Sequence, residues 1–236
     1  MNNQNQKILL FGATGNIGSA IYKKFTSQGW EVVSVTRKEN GLPNQIVWDP
    51  SNTNEKNFIE DLKKFKKFHA CCWAQGTNFN DSINDFNESH HNDMYQVNVV
   101  YIIKSLHYIL KNGLLQNPAK LCILSSIWQD ISRQDKLSYS VSKSALRGLV
   151  LSLTNDLGKN GHLVNAVLPG ALETNMTLST LTEKQINNIK SSTSFNRLPD
   201  IDSVVNIVYF LLSEENKSIT GQFIKVDLGY SDVKNI

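Results

Sequence analysis

The sequence lacks a long apolar run. No segment approaches the ~18 uninterrupted apolar residues that a membrane-spanning helix needs. The first residues, MNNQNQK, also lack the basic and apolar regions of a secretory signal peptide. We therefore expect a protein that neither spans a membrane nor is secreted.

Cysteine is scarce and odd in number. The three cysteines, Cys71, Cys72 and Cys122, lie in apolar runs typical of strands, where buried thiols are common. A disulfide framework needs pairs, and the adjacent Cys71 and Cys72 lack the CxxC spacing of redox motifs. Core packing in a reducing cytoplasm is the favoured interpretation.

The basic residues are not clustered as they usually are in nucleic-acid-binding proteins. The chain has 24 basic and 21 acidic residues and a net charge of +3. The densest basic run, DLKKFKKFH, has Leu62, Phe65 and Phe68 at helical spacing and predicts the solvent face of an amphipathic helix. The adjacent His90 and His91 point about 100° apart on a helix, so we expect a surface or capping role and no metal site.

Short β-branched and apolar segments alternate with helical patterns along the whole chain. The helices are predicted at about 16–28, 54–67, 91–112, 138–158, 178–191 and 201–213. The strand segments, apolar on both faces as in a covered parallel sheet, are KILLFGA, EVVSVTR, QIVWD, HACCWA, KLCILSS, HLVNAVLPG and QFIKVDLG. With no repeat, linker or composition break, residues 1–236 are predicted to form one doubly wound (Rossmann) α/β domain with a seven-stranded parallel sheet and helices on both faces.

A glycine-rich turn follows the first strand. The segment FGATGNIGSAIYKKF has GxxGxxG spacing where a helix begins. Glycines allow a sharp turn and close approach of a pyrophosphate, and the helix N-terminus offers free N–H groups. This context favours a nucleotide site over an ordinary turn. The expected cofactor contacts here are Gly12, Thr14, Gly15, Asn16, Ile17 and Gly18.

The end of the second strand predicts which cofactor is used. An acidic residue there would bind the 2′-hydroxyl of NAD, whereas this strand ends in Val35, Thr36, Arg37 and Lys38. The two cations favour the 2′-phosphate of NADP(H). NAD(H) stays possible because Glu39 follows directly, and Arg37 and Lys38 could instead be solvated loop residues.

A possible catalytic group is centred on YSVSK. Tyr139 and Lys143 share one face of the long predicted helix because they are separated by i, i+4. A phenol has an ordinary pKa near ~10, so a neighbouring cation helps to make its proton transferable. Ser126 ends the strand KLCILSS, and Asn98 lies on the preceding helix in YQVNVVYIIKSL. We expect these four side chains to converge beside the cofactor.

Taken together, these motifs resemble the short-chain dehydrogenases and reductases, specifically their single-domain branch, which includes the 3-oxoacyl-carrier-protein reductases. The resemblance covers nearly the whole chain. It is carried by the glycine turn, CCWAQGT, Asn98, Ser126, the YSVSK helix, LVNAVLPGALETNM and the C-terminal segment RLPDIDSVVNIVYFLLSEENKSITGQFIKVDLGY.

The resemblance implies a role for each of the four polar residues. Tyr139 would be the general acid in carbonyl reduction and the base in the reverse direction, and Ser126 would hydrogen-bond the substrate oxygen. Lys143 would lower the pKa of Tyr139 and hold the nicotinamide ribose, while Asn98 would support a water that reaches Lys143. Catalysis would then depend on positioning and on stabilising charge on one oxygen.

The resemblance also implies further cofactor contacts, with some departures. Asp49 would contact the adenine amino group, but Pro50 has no N–H to give, so adenine recognition should be altered. Trp73 could line the cofactor site or fill the core. The remaining implied contacts are Ala74, Gly76, Tyr139, Lys143, Pro169, Gly170, Leu172 and Thr174.

The predicted function is NADP(H)-dependent reduction of a ketone or aldehyde, or oxidation of the matching alcohol. A nucleotide-binding sensor without turnover stays an alternative. A sugar-nucleotide-modifying enzyme is suggested by the GxxGxxG spacing, although such proteins resemble longer, two-part chains. The pocket should use residues 127–137 and about 175–197. The polar segment IWQDISRQDKL favours a polar or sugar-like carbonyl, and an acyl thioester stays open.

The two long central helices carry apolar residues on more than one face. We therefore expect a homodimer or homotetramer. The residues that suggest it are Tyr101, Ile102, Ile103, Leu106, Leu149, Val150, Leu151 and Leu153.

Overall fold

The computed structural model describes residues 6–50, 55–174 and 182–233. Seven strands form one sheet in the order β3-β2-β1-β4-β5-β6-β7, and every neighbouring pair is parallel. The strands are β1 (Lys7–Phe11), β2 (Glu31–Thr36), β3 (Gln45–Val47), β4 (Phe68–Trp73), β5 (Leu115–Leu124), β6 (Leu163–Pro169) and β7 (Phe223–Val226). This order confirms the predicted doubly wound α/β fold.

Helices connect the strands and cover both faces of the sheet. They are α1 (Asn16–Ser27), α2 (Glu55–Lys63), α3 (Glu88–Tyr95), α4 (Tyr101–Lys111), α5 (Leu137–Gly158), α6 (Glu183–Ser191) and α7 (Ile201–Leu212). A π-helical turn, Gln96–Val100, joins α3 to α4, and a short 3₁₀ turn, Ile127–Gln129, precedes α5. The first residues of the helix predicted at 178–191 lie outside the described residues.

Each strand divides its side chains between two apolar cores because successive residues point to opposite faces. Leu9 and Cys71 belong to the core beneath α4 and α5, whereas Ile8 and Cys72 belong to the core beneath α1 and α7. All three cysteines are buried and free, as the packing interpretation predicts. Trp73 fills the first core: its ring stacks on Phe11 at 5.5 Å between centroids.

Two predicted helices were wrong in their extent. The helix predicted at 54–67 ends at Lys63, because Lys66 takes a left-handed φ of 63° and Phe68 already pairs in the sheet. Most of the basic run therefore lies in a turn. The helix predicted at 91–112 begins earlier, at Glu88, where the Asn87 side chain accepts the backbone N–H of His90, and the π turn interrupts it.

The sheet order determines where a ligand can bind. The connections from β1 and β4 run in opposite directions, so a crevice opens at the carboxyl ends of these two strands. Within the described ranges, no helix is both long and apolar enough to cross a bilayer.

Candidate active site

The glycine turn after β1 is packed so closely that Gly12 and Gly18 leave no room for a side chain. Gly12 has a φ of +79°, and a Cβ there would lie 2.6 Å from the backbone nitrogen of Gln75. A Cβ on Gly18 would lie 2.0 Å from the carbonyl oxygen of Gly12. The turn thus brings the backbone of β1, α1 and the segment after β4 into direct contact.

We expect Gly18→Ala to destabilise the protein and weaken cofactor binding together. The new methyl group meets backbone, which cannot rotate away, and overpacking of this kind costs about 1–3 kcal/mol. The midpoint of thermal unfolding should fall by at least ~2 °C. Gly148→Ala is the matched control, since a Cβ at this position of α5 would meet no atom within 4 Å apart from the adjacent residues and backbone of its own helix. Unchanged melting and NADPH titration curves for Gly18→Ala would contradict the assigned packing.

The N-terminus of α1 is suited to an anion. Its N-cap, Gly15, makes no side-chain capping bond, and the first turn, which begins with Asn16 and Ile17, has no acidic residue. The first backbone N–H groups of a helix and its dipole attract phosphate.

A cavity of about 830 Å³ opens beside this turn. Of the predicted cofactor residues, it is lined by Gly12, Thr14, Gly15, Arg37, Asp49, Ala74 and Gly76. Gln75 also lines it, and the Oε1 atom of Gln75 is buried without a hydrogen-bond partner among the described residues. The closely packed turn fits a phosphate, and the unpaired amide oxygen fits a hydrogen-bond donor such as a ribose hydroxyl of a dinucleotide.

The sequence did not identify the wall of the cavity formed by α3, the π turn and α4. Its lining residues recur every three or four positions, which is the only sequence signal for them. They are Asp93, Gln96, Val97, Val100, Tyr101 and Lys104.

Arg37 and Asp49 lie near Tyr101 at the end of the cavity formed by β2. Burial raises the pKa of Tyr101 well above its usual value; the charge of Asp49 adds to this and the charge of Arg37 opposes it. Lys38 does not line the cavity. Its carbonyl oxygen accepts hydrogen bonds from Thr36 and Gln45, which fix the loop after β2.

Asn98 lies in the π turn, and its side chain makes three hydrogen bonds. Its Oδ1 accepts the N–H of Thr77 at 2.9 Å, and its Nδ2 donates to the Thr77 carbonyl and to Ser142 Oγ at 3.0 Å each. A Cβ on Gly76 would lie 3.3 Å from Asn98 Oδ1 and 3.8 Å from Lys143 Nζ. Asn98 and Lys143 therefore meet at Gly76, on the wall of the cavity. Such widened turns are frequent at functional sites.

Tyr139 and Lys143 lie together near the start of α5. Lys143 Nζ is 5.7 Å from the centroid of the Tyr139 ring and donates to the Leu124 carbonyl at 3.1 Å. Burial lowers the pKa of Lys143 to about 8. Burial raises the pKa of Tyr139 to about 12, and a hydrogen bond with Ser126 acts in the opposite direction.

The expectation that Lys143 lowers the pKa of Tyr139 stays a prediction, because burial is the largest influence on that pKa and raises it. The phenol lies deep in the protein although part of the residue's surface stays accessible, and burial dominates. Because burial also lowers the pKa of Lys143, that amine is uncharged at the pH where the phenol titrates.

Ser126 follows the end of β5, and its Oγ accepts the backbone N–H of Trp128 at 3.3 Å. Ser126 also forms a hydrogen bond with Tyr139. The structure thus brings together Asn98, Ser126, Tyr139 and Lys143, although none of the four lines the cavity.

The predicted nicotinamide-end residues begin at Pro169, the last residue of β6. Gly170 donates its N–H to the Val226 carbonyl at 3.0 Å, and a Cβ there would lie 2.8 Å from the Cβ of Asp227. Pro169 and Leu172 are buried, and Thr174 precedes residues 175–181, which lie outside the described residues. None of Pro169, Gly170, Leu172 and Thr174 is among the residues that line the cavity.

Comparison with known proteins agrees with this geometry. A family model described as enoyl-(acyl carrier protein) reductase matches residues 12–231. The 3-oxoacyl-(acyl-carrier-protein) reductase FabG of Escherichia coli (strain K12) is 24% identical over 97% of this chain and 98% of its own length.

Solved structures share the fold. The ligand-free aldohexose dehydrogenase of Thermoplasma acidophilum is 22% identical with a TM-score of 0.89, covering 99% of this chain and 96% of its own. A gluconate 5-dehydrogenase from Burkholderia cenocepacia, in complex with NADP and tartrate, is 16% identical with a TM-score of 0.88. The match covers 98% of this chain and 96% of that protein. A short-chain dehydrogenase from Leptospira borgpetersenii with bound NAD⁺ is 19% identical with a TM-score of 0.86. The match covers 98% of this chain and 94% of that protein. The family match over most of the sequence and the fold lead to one conclusion: the chain belongs to the short-chain dehydrogenases and reductases, a family of oxidoreductases that bind NAD or NADP.

Proposed function

We propose that this protein reduces a ketone or aldehyde with NADPH, or oxidises the matching alcohol with NADP⁺. One observation carries the proposal: Asn98 and Lys143 meet at Gly76 on the cavity wall, and the Tyr139 ring lies 5.7 Å from Lys143 Nζ. A proton donor and a cation are thereby held beside the space that fits the cofactor. This convergence favours an enzyme over a sensor without turnover.

Tyr139 donates the proton in reduction. With its pKa raised to about 12, the phenol keeps its proton throughout the neutral range. Ser126, hydrogen-bonded to Tyr139, holds the substrate oxygen at the same point. A bound NADPH supplies the hydride. The two side chains stabilise the negative charge that develops on the oxygen, the interaction that contributes most in reactions of this kind.

Lys143 and Asn98 support the donor. The amine of Lys143 has three N–H donors, of which the Leu124 carbonyl accepts one, so the others are available to ribose hydroxyls. Asn98 fixes the position of Thr77 through two hydrogen bonds. Asn98 also supports a water that returns a proton to Lys143. Arg37, the cation of the β2 loop that lines the cavity, pairs with the 2′-phosphate of NADP(H).

The proposal is tested by following the absorbance of NADPH with a panel of carbonyls. The panel contains neutral ketones, aldoses, oxo acids and 3-oxoacyl thioesters. Turnover with at least one class is expected, and each assay is repeated with NADH. Tight NADPH binding without turnover on any class would instead favour the sensor.

We infer that copies of this chain associate through α4 and α5. Ile103, Val141 and Leu151 are 46%, 45% and 48% exposed on these helices. Tyr101, Ile102, Leu106 and Val150, which the sequence also suggested, are buried within the chain and cannot form an interface.

Light scattering at micromolar concentration should therefore give the mass of a dimer or tetramer. Leu151→Lys should lower that mass, because a charge in an apolar interface is costly. Ile83→Lys, at a 78% exposed position outside both helices, is the control. A monomeric mass for the parent would refute the association.

The cytoplasm and a single domain spanning residues 1–236 remain predictions. The three free, buried cysteines support the first, since a reducing compartment keeps thiols unpaired.

A further inference from the structure

A second lysine near Tyr139 has no role so far. Lys136 lies just before α5 and is only 5% exposed. Its Nζ donates to Asn78 Oδ1 at 2.9 Å and to Asn80 Oδ1 at 2.6 Å. Both acceptors are neutral, and an ammonium group has three donors. One N–H remains for a further acceptor.

Lys136 is a buried cation without an anionic partner. Among the described residues, no carboxylate forms an ion pair with its amine. The charged groups that act on it are Arg133 and Asp135 from the preceding loop and Asp81 from the loop after β4. Burial is the largest influence and lowers the pKa of Lys136 to about 8. A buried charge of this kind is costly unless an anion pairs with it.

One of the two acidic residues that act on Lys136 already has other hydrogen-bond partners. Asp81 accepts the backbone N–H of Ser138 at 3.0 Å and the hydroxyl of the same residue. Ser138 Oγ in turn contacts His91 Nδ1 at 2.8 Å, which ties α3 to the start of α5. Asp81 therefore anchors α5, and Lys136 is left with amide oxygens alone.

The two lysines near Tyr139 are held by different elements. Its Nζ lies 5.5 Å from the centroid of the Tyr139 ring, close to the distance of Lys143 Nζ. Lys143 donates a hydrogen bond to the carbonyl of Leu124 in β5, whereas Lys136 donates to Asn78 in the loop after β4. The cavity that fits the dinucleotide is not lined by Lys136. Since the proposed function already gives Lys143 to the cofactor, the substrate is the candidate source of an anion for Lys136 beside Tyr139.

We propose that Lys136 binds a carboxylate of the substrate, and that the substrates are oxo acids whose carboxylate lies a few bonds from the reacting carbonyl. A single ammonium with one free donor matches a monoanion better than a phosphate dianion, which usually needs several donors. The inference rests on the proposed function. The hydride is transferred to the carbonyl carbon, the Tyr139 proton goes to the oxygen, and solvent returns a proton to Tyr139. NADPH is oxidised and the oxo acid becomes a hydroxy acid.

The test compares pyruvate, acetoacetate and levulinate with their methyl esters. The parent should favour at least one acid over its ester by 10-fold or more in kcat/KM. Lys136→Gln keeps donors for Asn78 and Asn80 but removes the charge. A hydrogen bond between charged groups contributes about 1.5–3 kcal/mol, so this change should lower kcat/KM for the acid by roughly 10- to 150-fold, mainly through KM. Activity on the ester should stay within about twofold, and Lys136→Arg should retain the preference for the acid.

Arg133→Gln is the matched control. This guanidinium stacks over Trp128 at 5.8 Å, so its loss removes nearby charge without removing the proposed contact. It should leave the acid preference within about twofold. An equal loss in Arg133→Gln and Lys136→Gln would overturn direct binding in favour of a general charge effect.

The remaining outcomes distinguish this inference from the proposed function. Equal activity of the parent on acids and esters would overturn carboxylate recognition and leave the carbonyl reductase intact. An equal loss on acid and ester in Lys136→Gln would show a purely structural role for Lys136. Absence of turnover on every carbonyl would instead refute the proposed function.

Discussion

Tyr139→Phe is expected to lower kcat for carbonyl reduction by roughly 10²- to 10⁴-fold, the usual contribution of a general acid. The substitution removes one hydroxyl, keeps the ring near both lysines and leaves the cavity lining unchanged. NADPH affinity and the melting temperature should therefore stay close to those of the parent. Steady-state assays and NADPH titration measure the two effects separately.

Tyr95→Phe is the matched control for this experiment. Tyr95 is 37% exposed at the end of α3 and does not line the cavity, so the same chemical change there should leave turnover unaltered. Near-normal activity of Tyr139→Phe on any substrate of the parent would refute Tyr139 as the proton donor.

Arg37→Ala should weaken NADPH binding by roughly 10- to 150-fold and leave NADH binding nearly unchanged. The range corresponds to the about 1.5–3 kcal/mol that a hydrogen bond to a charged group contributes. Only NADPH carries the 2′-phosphate, so the difference between the two cofactors, measured by fluorescence titration, isolates that contact.

Lys38→Ala serves as the control for Arg37→Ala, because Lys38 neighbours Arg37 in sequence but does not line the cavity. Lys38→Ala should weaken NADPH binding several-fold less than Arg37→Ala does. An equal weakening of both cofactors by Arg37→Ala would assign Arg37 to loop structure or the adenine face. Tighter binding of NADH than NADPH by the parent would reverse the cofactor assignment and make Glu39 the candidate ribose ligand.

The fold could be predicted because its signals are local. Apolar β-branched strands alternate with amphipathic helices, and the glycine turn occupies a few adjacent residues. The end of α2 could not be predicted in this way. Leu62, Phe65 and Phe68 have helical spacing, but pairing of Phe68 in the sheet overrides that preference.

The candidate site was predictable in its residue types and only partly in its electrostatics. Spacing on one helix face was enough to pair Tyr139 with Lys143. Burial depends on the whole fold, so the sequence could not indicate that the pKa of Tyr139 rises. Lys136 was missed for a similar reason, since its partners Asn78 and Asn80 lie 58 and 56 positions away in the chain.

The widened turn at Gln96–Val100 determines the helical register of a residue of the candidate site. In an α-helix each carbonyl meets the N–H four residues later, and a π turn shifts this partner by one position. Here the Val97 carbonyl is 3.5 Å from the donating side-chain amide of Gln75, a cavity residue. Deleting one residue would restore an uninterrupted helix and rotate Asn98 about 100° away from Thr77. The extra residue of the turn therefore sets which side chain faces Thr77, and a chain that lacks it should lose the hydrogen bonds between Asn98 and Thr77.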